Sequence, residues 1–219
     1  MSQLLFEKSG EELYARFHRV FGNIKKCPAG FSFKVLKVEQ GDIQQIFYFY
    51  EQYAPLLYTY QPDFENGQIA KSLLSENEWI IAAYRGDEVV GYLMLVTLDD
   101  QRSRKKLYQL TLICVKEEFR KKDLSVYLFL CGFLFAKEIR NLHSVFILVD
   151  YGPPRSYSLK GEVIKWEMKE KSGALKFSGP AQHMYARTKF LYHVFEEILN
   201  LRLAEFSGHT FFIIDLKNI

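Results

Sequence analysis

The sequence predicts an α/β domain built on a mixed, largely antiparallel sheet flanked by helices. Two observations carry that expectation. Glu78 to Leu98 reads as an antiparallel hairpin: WIIAAYR, then Gly86-Asp87, then EVVGYLMLVTL, two β-rich runs around a tight turn. Leu107 to Asp150 reads as strand, helix, strand, which implies a parallel pair with a right-handed crossover.

Composition bounds the class. The 219 residues suit one large domain, with 48% hydrophobic and 16% aromatic residues, enough to build a core. The net charge of +3 is too mild to argue for nucleic acid, and the Arg102 to Lys106 cluster lacks interleaved aromatics. Three cysteines, Cys27, Cys114 and Cys131, make no CxxC and no metal spacing, which fits a reducing compartment, and no metal is expected. The N-terminus has no apolar signal core, and no apolar run reaches membrane length, so a soluble, cytoplasmic protein without a membrane span is expected.

In chain order, Leu13, Phe17, Val20, Phe21 and Ile24 fall at helical spacing over residues 10 to 24, so residues 1–30 are read as an N-terminal helical extension. His18 is read as an ordinary helix histidine. Phe31 to Val38 alternates as a strand, Asp42 is a good N-cap, and Ile43 to Tyr53 is an aromatic-rich helix. The irregular stretch at residues 54–66, with Tyr58 and Tyr60, is a candidate substrate rim, and Gly67 to Ser75 a short helix. Leu107 to Val115 lacks strict alternation and reads as a strand covered on both faces. Lys116 to Ser125 is a basic turn that opens an apolar helix, a ready site for phosphate. Ser144 to Asp150 is a buried strand. Residues 151–179 read as an inserted hairpin or flap with strand-like runs at Glu162 to Met168 and Ala174 to Phe177. Pro180 to Leu199 is a helix, and Gly208 to Leu216 a terminal strand.

This order resembles the GCN5-related N-acetyltransferase (GNAT) superfamily, over roughly Phe31 to Leu216. The resemblance implies residues 31–219 as one acyltransferase domain, with a central sheet of about six to seven strands and a splayed parallel fourth and fifth pair. Two motifs carry it. At the cofactor turn, Val115, Glu118, Phe119 and Arg120 stand in register, and Arg120, Lys121, Lys122, Asp123, Leu124 and Ser125 occupy the family's Arg/Gln-x-x-Gly-x-Gly/Ala motif. Asp123 replaces the central Gly and Ser125 the last small residue. A like charge at about 4 Å from a phosphate costs on the order of 4 kcal/mol before screening. Lys116, Lys121 and Lys122 offset that; alternatively Asp123 points away and caps the helix, or the donor is an acyl-carrier protein with a single phosphodiester. In the second motif, Ser178, Ala181, Tyr185, Arg187, Lys189 and Phe190 fall at the family's spacing after its fifth strand.

The resemblance implies direct acyl transfer from acetyl-CoA or another acyl-CoA to a small-molecule or peptide amine, in a ternary complex. It implies a pantetheine arm against the backbone of Cys114 and Val115, and Tyr185 as general acid, with Tyr192 as runner-up on the same helical face. Glu78 and Tyr108 flank the expected site as candidates for the base. An acyl-carrier-protein donor and a non-catalytic binding module remain alternatives, and either a monomer or a homodimer is compatible with the sequence.

Overall fold

A computed structural model describes residues 3–19, 24–39, 42–53, 78–99, 106–120, 122–148, 157–159, 162–164, 167–171, 174–178, 202–206 and 209–219. The described elements are β1 (Gln3–Ser9), α1 (Gly10–Phe17), β2 (Phe31–Lys37), α2 (Ile43–Tyr53), β3 (Trp79–Arg85), β4 (Glu88–Asp99), β5 (Lys106–Val115), α3 (Leu124–Leu134), β6 (Ser144–Leu148), β7 (Tyr157–Leu159), β8 (Glu162–Ile164), β9 (Glu167–Lys171), β10 (Ala174–Ser178), β11 (Arg202–Phe206) and β12 (His209–Asp215). Eight strands form one sheet in the order β1-β2-β3-β4-β5-β6-β12-β11. Neighbours pair antiparallel except β5 and β6, which are parallel, as expected from the crossover through α3.

Gly86 makes the β3–β4 turn possible, since it sits at φ 61, where other side chains are strained. Alternation along the strands sorts two cores. On one face Phe33, Val35, Ile81, Ala83, Leu93, Leu95 and Leu110 meet α1 and α3. On the other, Leu36, Ile80, Ala82, Tyr92, Met94 and Cys114 meet Ile43, Ile46 and Phe49 of α2. Helix α3 is apolar nearly all round, and its residues from Val126 to Leu134 are buried because the sheet covers one side and α1 another. Gly132 lets it lie close, since a Cβ there would stand 3.1 Å from Leu110 Cδ2. A wide π turn over Phe135–Ile139 ends the helix, with the Arg140 N–H donating to the Phe135 carbonyl at 3.1 Å.

The structure departs from the sequence reading in four places. Gln3–Ser9 is a strand paired with β2 and not part of a helical extension. Helix α1 ends at Phe17 and not near Ile24. The 151–179 insert carries two ribbons, β7–β8 and β9–β10, which break the single run expected at Glu162 to Met168. β11 is an additional strand that pairs with β12, so the sheet has eight strands where six to seven were expected. The rim at 54–66 and the helices at 67–75 and 180–199 lie outside the described residues. Among the described residues no helix is long and apolar enough to cross a membrane.

Candidate active site

The site is built at the end of β5. On one side β5 pairs with β4 along its length, from Asp99 opposite Lys106 to Gly91 opposite Val115. On the other side its registered pairing with β6 covers Gln109 with Phe146 and Leu110 with Ile147, while β5 runs on through Val115. β6 is described to Leu148, so this is the C-terminal end of the described parallel pair, where ligands of parallel pairs bind.

A bulge in the β4–β5 pair lies just beyond Leu110. Met94 opposes Thr111 and Tyr92 opposes Cys114, so three steps along β5 match two along β4. The extra residue reverses which side chains face which core. Leu110 faces α3 before the bulge, Ile113 and Val115 face it after, and Cys114 turns to the α2 face. Gly91 is required here. A Cβ on it would meet the Cys114 carbonyl oxygen at 3.0 Å, Val115 Cγ2 at 3.2 Å and Leu128 Cδ1 at 3.4 Å.

Beyond Val115 the chain makes a 3-10 turn, Glu117–Phe119, with the Lys116 N–H on the Val90 carbonyl at 2.9 Å and the Phe119 N–H on the Lys116 carbonyl at 3.0 Å. Phe119 is buried edge-on against Phe31, with centroids 5.9 Å apart. The Arg85 guanidinium and the Lys122 ammonium stand over its ring at 5.7 and 5.0 Å. Arg120 Nε donates to the Val115 carbonyl at 3.1 Å, tying the turn back to the strand end. Lys116 Nζ donates to Glu88 Oε1 at 2.6 Å.

Asp123 opens α3 in the left-handed conformation, φ 56 and ψ 18. Its carbonyl accepts the Val126 N–H at 2.9 Å and the Tyr127 N–H at 3.3 Å, so the helix starts cleanly behind it. Its carboxylate makes no capping bond and lies 3.8 Å from Lys25 Nζ. Tyr127 explains that partnership. Its hydroxyl donates to the Lys25 carbonyl at 2.7 Å, which holds the α1–β2 connector beside the start of α3. Of the other turn residues, Leu124 is buried, Ser125 partly exposed, Lys122 exposed, and Lys121 lies outside the described residues.

The structure therefore brings Cys114, Val115, Arg120, Lys122, Asp123, Leu124 and Ser125 together at one end of the sheet. Glu78 stands elsewhere. It is 3% exposed, Oε1 accepts the Thr97 N–H at 3.5 Å, and its carbonyl accepts from Lys37 Nζ at 3.3 Å. Thr97 opposes Tyr108, seven residues before Val115, which at 3.4 Å per residue is about 24 Å along β5. Tyr108 stacks on Trp79 at 6.5 Å. Tyr185 and Tyr192 lie outside the described residues. The sequence reading missed Lys25, which reaches Asp123 only through the tertiary fold and has no local spacing to mark it.

No family model and no curated protein matches this chain. Solved structures similar to it include a spermidine N-acetyltransferase chimera from Vibrio cholerae and hSSAT, at 14% identity over 84% of this chain and 95% of that one, with a TM-score of 0.47. An acetyltransferase of the GNAT family from Staphylococcus aureus is 14% identical over 84% of this chain and 99% of that one, with a TM-score of 0.47. An aminoglycoside acetyltransferase from an uncultured soil sample is 19% identical over 54% of this chain and 78% of that one, with a TM-score of 0.40. The chemistry of the site rests on this chain's own residues.

Proposed function

We propose that this chain is an acyltransferase that moves an acetyl or other acyl group from a CoA thioester to an amine, directly and in a ternary complex. The observation that carries this is the junction of β5 and α3. At the C-terminal end of a strand with a parallel neighbour, a basic turn leads into a helix N-terminus through a residue in glycine-like backbone conformation. Asp123 supplies the backbone shape that glycine would give, and Lys25, 3.8 Å away, offsets part of its charge.

When bound, the thioester supplies the activated acyl group. The N–H groups of Leu124 and Ser125 precede the first intrahelical bond of α3 and, with Lys122 and Lys121, hold phosphate. Arg120 acts through the backbone, fixing the Val115 carbonyl and with it the strand end. Cys114 and Val115 offer backbone along the channel, and an N–H near Val115 stabilises the developing oxyanion. Tyr185 gives its proton to the leaving thiolate, with Tyr192 as the second candidate, and the proton lost by the attacking amine passes through water to restore the phenol. Glu78 is engaged as an acceptor for Thr97 and takes no step here.

Calorimetric and thermal titration with CoA, acetyl-CoA and longer acyl-CoAs tests this. A donor at one hundred times its Kd stabilises the fold by about 2.7 kcal/mol. Lys122→Ala weakens binding about tenfold, the weight of one charge-assisted hydrogen bond, while leaving the fold intact. Absence of any response to the CoA series overturns the proposal, and a response confined to acyl-carrier protein moves the donor to that class.

A further inference from the structure

Asp42 comes just before α2, on the face of the sheet opposite α3. Its Oδ2 is buried and has no hydrogen-bond partner. Leaving such an oxygen unmatched lowers stability, and more so for a charged group. Capping the helix does not account for it, since Asn or Ser caps as well without burying a charge.

Two phenols share its surroundings. Ala82 opposes Tyr92 in the β3–β4 register, and Tyr84 follows two residues along β3, so Tyr84 and Tyr92 are diagonal neighbours on one face. Burial, and then Asp42 and Glu7, push the Tyr84 hydroxyl up, and burial, Tyr84 and Asp42 do the same to Tyr92. Both hydroxyls therefore stay protonated and lie within the field of the carboxylate. Phe49 of α2 packs edge-on against Tyr92 at 4.7 Å and walls the group with an aromatic ring. The nearby cations are engaged: Lys34 lies over the Tyr84 ring and pairs with Glu7 at 3.4 Å, and Lys116 pairs with Glu88.

One anionic oxygen, two phenol oxygens and aromatic walls match the three N–H donors of an alkylammonium. They are too few for Ca²⁺ or Mg²⁺, which take six or more oxygens. The location ties the group to the active site, because Tyr92 stands opposite Cys114 at the β5 bulge. We propose that Asp42, Tyr84 and Tyr92 form a binding site for an alkylammonium group, the cationic end of an acceptor that carries a second amine for acylation. Its role as acceptor site rests on the acyltransferase reading, and the ammonium binding itself does not.

The test is calorimetric titration of the full chain with 1,4-diaminobutane, with butanol as the uncharged control, in the absence of any donor. The expected result is saturable binding of the diamine, no binding of butanol, and a loss of affinity of tenfold or more in Asp42→Asn. Tyr84→Phe, which removes one hydroxyl from a partly exposed position, weakens it several-fold and serves if Asp42→Asn does not fold. Diamine binding absent, or unchanged in both variants, overturns the site and leaves Asp42 as a helix cap. A response to acyl-CoA without diamine binding overturns this inference alone. Diamine binding lost in the variants, without an acyl-CoA response, upholds the site and overturns the acyltransferase reading.

Discussion

At Asp123 a residue takes a backbone that favours glycine, and two variants separate the backbone from the charge. Asp tolerates the left-handed region better than Ala, which lacks its local hydrogen bonding. Asp123→Ala therefore lowers stability by about 1 kcal/mol, while Asp123→Gly relieves the strain and gives up only an exposed ion pair worth about 0–1 kcal/mol. At the proposed phosphate site Asp123→Gly also removes a like charge and strengthens CoA binding about tenfold, which calorimetry beside urea denaturation checks. The sequence showed Asp in the glycine position, but φ is not written in composition, so its glycine-like backbone was hidden. Gly91 makes the complementary case. Gly91→Ala drives a Cβ to 3.0 Å from the Cys114 carbonyl and costs about 1–3 kcal/mol in urea unfolding, because backbone on both sides resists moving. Titration behaves at the same scale. Burial pushes the Cys27 thiol from 9.0 up to about 12, and raises Cys131, Tyr84, Tyr92 and Tyr127 as well. These groups are neutral when protonated, so the folded chain holds their protons more tightly than the unfolded one. Stability is therefore full below pH 9.0 and falls as the pH climbs toward about 12. A melting temperature that stayed level across that alkaline window would contradict the burial of these groups.

Among the elements, those with strong local signals were legible. The β3–β4 hairpin has its Gly86 turn, and α2 and β5 match their periodicity to within a residue or so. Helix α1 was overextended for a reason of reach. Ser9 pairs with Ser32, so the chain must leave and return to nearly the same place between them. A helix from Gly10 to Ile24 would run about 22 Å at 1.5 Å per residue. The six residues that remain before Phe31 would span that only at full extension, through Pro28 and Gly30. The start of α1 was readable instead: Ser9 accepts the Glu12 N–H at 3.1 Å and the Glu12 carboxylate accepts the Ser9 N–H at 2.7 Å. Ser9→Ala removes that box and lowers stability by about 1 kcal/mol, measured by denaturant unfolding. β1 escaped detection because QLLFEKS does not alternate: Leu4 and Leu5 are adjacent and exposed, and only Phe6 turns inward, against Phe135 at 6.1 Å.

For the whole molecule, the sheet order was inferable only where strands are joined by tight turns or a crossover. β11 and β12 are separated by Ser207-Gly208, a hairpin signal passed over because Arg202–Phe206 is short and mixed in polarity. That order has a kinetic consequence. From β1 to β5 each strand pairs with the next one along the chain, so this half zips through nearest neighbours. The other half must join β6, ending at Leu148, to β12, beginning at His209, across some sixty residues of intervening chain. Loop-closure entropy is paid before that contact returns anything, so it closes late. Pulse-labelled hydrogen exchange should find the amides of β2 to β5 protected first and those paired between β6 and β12 last. The C-terminal end of β5 then lies on the boundary between an early half and a late one, and nascent chains pass through a state in which the turn into α3 is made before β12 covers the far edge of β6.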